Sequence, residues 1–417
     1  MPTEINAHRL LTDLGTLRTF GATGTGVVRP TFSDADMDAR RWLRDRMEAA
    51  GLNATIDRAG NVFGRSPNPG PALLLGSHSD TQPTGGWLDG ALGVIYALEV
   101  ARTLAEDPAT SNVAVDTVAW SDEEATYTSC LGSNSFVGQL TDAKLQHTNA
   151  AGETVADALE RVGLTGAPPG RFEPHRHVGY LEAHIEQGPR LEDEGLRIGV
   201  VTSIVGIRGA VVRFHGEQNH AGTTPMPRRR DAGVALFEYA VRLGERLQAA
   251  AGPTTVWTIG RAHLEPGAAS IIPGYAELAV QYRDPSDEVL TRFESIVSSL
   301  AEEMTQGGPV EVTTAGPRVP ITPTVMDPQL RRHLGEAAQS RVPGEWIEMP
   351  SAAGHDPMVL AHHLPCGMLF IPSIGGISHD FAEDSTDLDI VTGCQVMADA
   401  CQAALQEAGS PEAGTTS

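Results

Sequence analysis

The sequence predicts an α/β protein in which a compact βαββαβ domain interrupts a larger α/β domain. Three observations carry this expectation. Buried-type apolar runs alternate with helical periodicities through the first 120 residues. A block with a different element order begins near Val205. The first pattern then resumes from about Ile321.

The elements follow in order. Asp34 to Ala50 reads as an amphipathic helix, with Met37, Trp42, Leu43 and Met47 at helical spacing. ATIDRAGNVFGR reads as two short strands about a turn, and ALLLG (72–76) as a buried strand. ALGVIYALEVARTLAE (91–106) reads as an apolar helix preceded by Gly90, and VAVDTVAW (113–120) as the next strand. In the inserted block, RGAVVRFHG is a strand and RDAGVALFEYAVRLGERLQAA a helix. TTVWTIGRAH and YAELAVQYRD are two more strands, SDEVLTRFESIVSSLAEEM a second helix and PVEVTTAG a last strand. LPCGMLFIPS and LDIVTGCQVMADACQAALQEAG then supply a closing strand and helix. The expected domains are 1–206 with 321–417, and 207–320, with 409–417 as a disordered tail.

Composition narrows the role. The 417 residues carry 53 acidic and 30 basic side chains, a formal charge of −23, with no Lys/Arg block. No nucleic-acid or membrane partner is expected from that. The four cysteines, Cys130, Cys366, Cys394 and Cys401, form no CxxC pair, which fits a reducing compartment and argues against a thiolate metal site. The opening MPTEINAHRLLTDLG has no basic stretch followed by an apolar core, and no segment has transmembrane character. The expected location is the cytoplasm.

The chemistry gathers just past the strand ends. SHSDTQPTGGWLDGALG (77–93) places His78, Asp80 and Asp89 around a glycine-rich turn, and SDEE places Glu123 and Glu124 after the next strand. Ligands of open α/β sheets sit beyond the carboxyl ends of strands. Imidazole and carboxylate together suit zinc and similar divalent ions. Adjacent side chains of a turning chain diverge, so one glutamate of the doublet can bind metal while the other faces substrate. Taken singly, each motif has a plainer explanation. HxD after a strand is often a capped turn, and EE before a helix complements its dipole. His184 in AHIEQGP could be a core histidine, and His379 in GISHDF a loop residue.

Taken jointly, the segments resemble the di-metal aminoacylase/carboxypeptidase-like amidohydrolases. Within these they resemble the branch of N-carbamoyl-L-amino-acid hydrolases, allantoate amidohydrolases and β-ureidopropionases. The resemblance is carried by GSHSDTQPTGGWLDGALGV, SDEE, LGSNSFVG, AHIEQGPRLE, GIRG, HAGTTPMPRRRDA, IIPG, SAAGHDPM and GISHDFAE. It implies an aminopeptidase-like catalytic domain with an inserted ferredoxin-like lid and dimerisation domain. It also implies two divalent metal ions, zinc first, with manganese, cobalt or nickel compatible. Asp89 would bridge them, His78 and His184 would complete one site, and Glu124 and His379 the other. Glu123 would be the general acid/base, and Asp80 would hydrogen-bond and orient the His78 ring. His220 would reach across a homodimer to stabilise an oxyanion. Arg283 would hold a substrate carboxylate, with Gln187, Ser270 and His355 near the substrate.

The implied reaction is hydrolysis of a linear carbamoyl, ureido or amide C–N bond in a small carboxylate-bearing molecule, through metal-activated water. The chain departs from the family pattern at three places. Ser270 replaces the usual Asn before the IPG turn, Gln281 replaces an acidic residue, and EEATYTSCLGS is shorter and lacks an arginine. These departures suggest a substrate other than ordinary N-carbamoyl amino acids. An N-acyl amino-acid amidohydrolase or dipeptidase on the same scaffold is the alternative; a non-enzymatic scaffold would be expected to have lost a ligand or the base.

Overall fold

A computed structural model describes residues 3–316 and 320–408. The expected disordered tail, 409–417, lies outside the described residues. The chain divides into two compact units, Met1–Thr202 with Val325–Ser417 and Ser203–Thr324.

The first unit is built on a nine-stranded mixed sheet. In spatial order its strands are 324–325, 198–204, 366–371, 177–185, 72–78, 114–120, 62–65 and 53–56, and 346–351 pairs with 198–204. The four middle strands 366–371, 177–185, 72–78 and 114–120 are mutually parallel. All residues of Ala72–His78 and Ala114–Trp120 are buried, as expected of parallel strands covered on both faces. His78 lies opposite Trp120, and His184 opposite Phe370. The carboxyl ends of these strands therefore share one edge.

Helices cover the sheet. Asp34–Ala49 starts at Ser33, whose side chain accepts from the Asp36 N–H, and buries Met37, Leu43 and Met47. Ala91–Glu106 is buried along nearly its whole length. It packs into one core with Leu73, Leu75, Ile185, Ile371 and the closing helix Asp387–Ala408.

The second unit is a four-stranded antiparallel sheet in the order 256–265, 275–284, 206–215, 311–315. Strand Tyr275–Asp284 alternates strictly, burying Ala276, Leu278, Val280 and Tyr282. Those residues pack with Leu236, Tyr239 and Leu243 of helix Ala232–Ala250 and with Phe293 and Val297 of helix Asp287–Gly307. The order βαββαβ is that expected.

The central strand His177–Ile185 has no counterpart among the elements expected from sequence. Its buried Glu182 and His184 break the apolar run. Among the described residues no helix is long and apolar enough to cross a membrane.

Candidate metal centre

Five segments bring their polar residues to the shared edge of the first unit. His78 is the last residue of strand Ala72–His78, and His184 the penultimate residue of His177–Ile185. Asp89 sits in the turn before helix Ala91–Glu106. Glu123 and Glu124 lie in the loop after Ala114–Trp120, where Asp122 and Ala125 adopt positive φ. The Asp122 carboxylate accepts from the N–H groups of Tyr127 and Thr128 and so shapes this loop. His379 lies in the loop after Cys366–Ile371, with φ 56°.

The distances are short. Oδ1 of Asp89 is 2.9 Å from Nε2 of His184 and 3.8 Å from Nε2 of His78. Its Oδ2 is 3.2 Å from Nε2 of His379, which is 3.5 Å from Oε1 of Glu124. Oε2 of Glu123 is 3.8 Å from Nε2 of His78. The two glutamates thus diverge toward different histidines. Three overlapping groups could each hold an ion: His78, Asp89 and His184; His78, Glu123 and Glu124; and Asp89, Glu124 and His379.

The donor chemistry fits divalent metal. Oε1 of Glu124 and Oδ1 of Asp80 are buried without a hydrogen-bond partner among the described residues, although buried carboxylate oxygens are normally paired. Nδ1 of His184 contacts the Ile185 carbonyl at 2.9 Å, which leaves Nε2 as the lone-pair nitrogen facing Asp89. The Gly90 N–H donates to that same Nε2 at 3.2 Å. Burial, reinforced by the Asp89 carboxylate, pushes Glu124 up to about 10. Burial, then Glu124 and Asp356, raise Glu123 well above the usual carboxylate range. Burial also pulls His78 down, toward the neutral ring that a metal requires. Carboxylates crowded in this way call for nearby positive charge, which a bound cation supplies.

A family model described as peptidase family M20/M25/M40 matches residues 74–403. The chain belongs to that family. It is 34 % identical over 381 residues to the N-carbamoyl-L-amino acid amidohydrolase of Geobacillus stearothermophilus, covering 89 % of this chain and 92 % of that one. It is 31 % identical over 414 residues to the ureidoglycolate hydrolase of Arabidopsis thaliana, covering 94 % of this chain and 86 % of the other. The crystal structure of an amidase of the hydantoinase/carbamoylase family from Burkholderia phymatum superposes with a TM-score of 0.92 at 49 % identity, covering 98 % of this chain and 99 % of that one.

In this M20/M25/M40 member the remaining expected residues fall in different places. Asp80 was expected to hydrogen-bond the His78 ring. It does so through its main-chain carbonyl, 3.0 Å from Nδ1, while its nearest carboxylate oxygen stands 3.9 Å away. The carboxylate is turned instead to the Glu124 N–H, which Oδ2 accepts at 3.2 Å. Nε2 of Gln187 lies 3.4 Å from Asp89 and 3.2 Å from His379, so this side chain borders the centre. His355 is 1 % exposed and bonded to the Ser351 hydroxyl at 3.0 Å. Its ring meets that of His184 edge-on with centroids 4.6 Å apart, a packing position behind a candidate ligand.

His220, Ser270 and Arg283 belong to the second unit. The segments of the first two run side by side: His220 pairs with Ile271, and the Ala221 N–H donates to the Ser270 carbonyl at 3.0 Å. Arg283 donates from Nε and Nη2 to Oε1 of Gln281 at 3.4 and 3.3 Å.

Three residues beyond the expected set also shape the centre. Oε1 of Glu383 accepts from the N–H groups of Leu88 and Asp89 at 3.1 and 3.0 Å, and Oε2 from the Ser378 hydroxyl at 2.9 Å. One carboxylate thus ties the Asp89 turn to the loop of His379. Gln82 donates to Oε2 of Glu124 at 2.6 Å, turning Oε1 toward His379. Gly90 has φ 66°, and a Cβ there would stand 2.4 Å from Cε1 of His78. Of the three, only Gly90 carries a local signal, a glycine directly between an acidic residue and a helix.

Proposed function

We propose that this chain is a metal-dependent amidohydrolase that cleaves a linear carbamoyl, ureido or amide C–N bond in a small carboxylate-bearing substrate. One observation carries the reading: the two oxygens of Asp89 face different histidines, with Glu123 beside one set and Glu124 beside the other. That arrangement supports two divalent ions bridged by Asp89. His78 and His184 would hold one, and Glu124 and His379 the other. Bound there, the ions would polarise the scissile carbonyl and lower the pKa of a water.

The chain's own residues do the rest. Glu123 takes the proton from the attacking water and returns it to the leaving nitrogen. Its raised pKa suits a carboxyl that must carry a proton between two steps. Glu383 and Gln82 keep the donors aimed. His220 donates a hydrogen bond to the oxyanion, and Arg283 holds the substrate carboxylate. Ser270 and Gln281, where the family pattern has Asn and an acidic residue, support a substrate distinct from ordinary N-carbamoyl amino acids.

A homodimer through the second unit completes the proposal. Val234, Phe237 and Val241 form an exposed apolar stripe on helix Ala232–Ala250, and strand Val256–Glu265 is an open sheet edge.

The test is ammonia release from a panel of ureido and carbamoyl acids by zinc- or manganese-loaded protein. N-acyl amino acids and dipeptides are run beside them. Ammonia from the ureido panel supports the proposal; acid or amino-acid release from the second panel alone moves the chain to the N-acyl or dipeptidase chemistry. Full activity after exhaustive chelation overturns the metal-dependent reading.

A further inference from the structure

His220 ends the short strand Asn219–His220, which pairs antiparallel with Ile271–Ile272. The chain then folds back over the ring. The main-chain N–H groups of Gly222 and Thr223 both donate to Nδ1 of His220, at 2.9 and 3.2 Å. A ring nitrogen can accept two hydrogen bonds only through its lone pair. In the neutral ring the proton therefore sits on Nε2.

The turn that delivers these amides is itself tied down. The N–H and hydroxyl of Thr224 both donate to the His220 carbonyl, at 3.2 and 2.7 Å. Arg229 spans the turn: Nε donates to the Thr224 carbonyl at 3.1 Å, and Nη2 to the Ala221 carbonyl at 2.6 Å. A planar guanidinium bonded to two carbonyls through two of its nitrogens fixes their spacing in a way that a flexible ammonium does not. Arg229 is half-buried, whereas the His220 ring is exposed. The framework is thus inside the turn and the ring is presented outward.

We propose that this turn locks His220 in its Nε2–H tautomer, and that Arg229 is the positioning residue that maintains the lock. His220 is then a built-in hydrogen-bond donor and not a proton acceptor. An oxyanion meets a proton already in place, and no ring flip or proton shift is needed when charge develops. The opposite tautomer would turn a lone pair toward the anion and repel it. This inference rests on the amidohydrolase reading of His220 given above.

The experiment uses the full-length, metal-loaded protein with 15N-labelled histidine. The His220 resonances are assigned by their loss in His220→Gln. The expected spectrum has the proton on Nε2 and a bare, hydrogen-bonded Nδ1; a proton on Nδ1 in the neutral ring overturns the proposal. In Arg229→Gln both tautomers should appear, and Arg229→Lys should restore part of the single-tautomer signal. An unchanged spectrum in Arg229→Gln removes Arg229 from the proposal.

Kinetics separate the two layers. The amide nitrogen of Gln falls near the position of Nε2, and that of Asn near Nδ1. His220→Gln should keep a kcat about tenfold above that of His220→Asn, as expected when one donor is retained and when it is lost. Arg229→Gln should lower kcat with KM and bound metal unchanged. If both His220 variants match the parent enzyme, the oxyanion role is wrong even where the spectrum shows Nε2–H. If the role stands but the spectrum shows Nδ1–H, the lock is wrong.

Discussion

Asp89 turns Oδ1 to Nε2 of His184 at 2.9 Å, and so keeps Oδ2 for the other half of the centre. One carboxylate faces two histidine sets, and in the proposed centre it bridges both ions. Asp89→Asn should therefore empty both positions together. Elemental analysis after gel filtration is the check. Retention of one ion at full occupancy would show that the two halves are independent of Asp89.

Glu123 stands 3.8 Å from His78 and belongs to one candidate ion group, yet the proposal gives it proton transfer. Glu123→Gln keeps the shape and removes the exchangeable charge. Turnover should fall about 10²–10⁴-fold with metal content unchanged, the usual range for a lost general base. Parallel loss of metal and turnover would make Glu123 a ligand.

Gly90 tests the geometry of the turn. A methyl at this residue would overlap the His78 ring at 2.4–2.5 Å, on a backbone with φ 66° that L side chains rarely adopt. In Gly90→Ala the ring must move. Metal affinity should drop about 10–100-fold, comparable to the loss of an orienting contact, while far-UV circular dichroism stays unchanged. Unaltered affinity in a metal titration would mean that the ring is not a ligand.

Away from the centre, Asp116 gives the pH prediction. Burial pushes its carboxyl up, but hydrogen bonds from His177, Arg176 and the Ser66 N–H outweigh burial and hold it below the usual carboxylate range. A group depressed in the folded state stabilises above its unfolded pKa, and the stabilisation is lost as pH falls through the folded value. Resistance to denaturant should thus weaken toward low pH. Asp116→Asn, which leaves Arg176 buried and uncompensated, should cost about 3 kcal/mol at pH 7 and less in acid. An equal difference between the two proteins at pH 7 and pH 3 would contradict this.

Much of the first unit was legible because its strands are local. Ala72–His78 and Ala114–Trp120 are buried on both faces, so Ala72–Gly76 is an unbroken apolar run and only Asp116 and Thr117 interrupt the apolar residues of the second strand. The strand His177–Ile185 was not legible. Its Glu182 takes hydrogen bonds from Tyr180 on its own strand and from Ser77 on a neighbouring one, the second a partner that exists only once the sheet has formed. Glu383 was hidden for the same reason. It is an ordinary loop glutamate until residues 294 and 295 positions away place their N–H groups on it. In the second unit the alternation of Tyr275–Asp284 was readable, because one face of an antiparallel sheet meets helices while the other does not.

The level strand ends have a consequence for assembly. His78 is held level with Trp120, and His184 with Phe370, by the ladders between their parallel strands, and the pairing of 72–75 with 177–181 joins the two sets. Slipping any one strand by a residue would swing its terminal side chain to the opposite face. An ion in this cleft therefore reports sheet registry as well as local coordination. Uptake of a coloured or fluorescent-quenching divalent ion during refolding would time the closure of the sheet, with no probe attached to the chain.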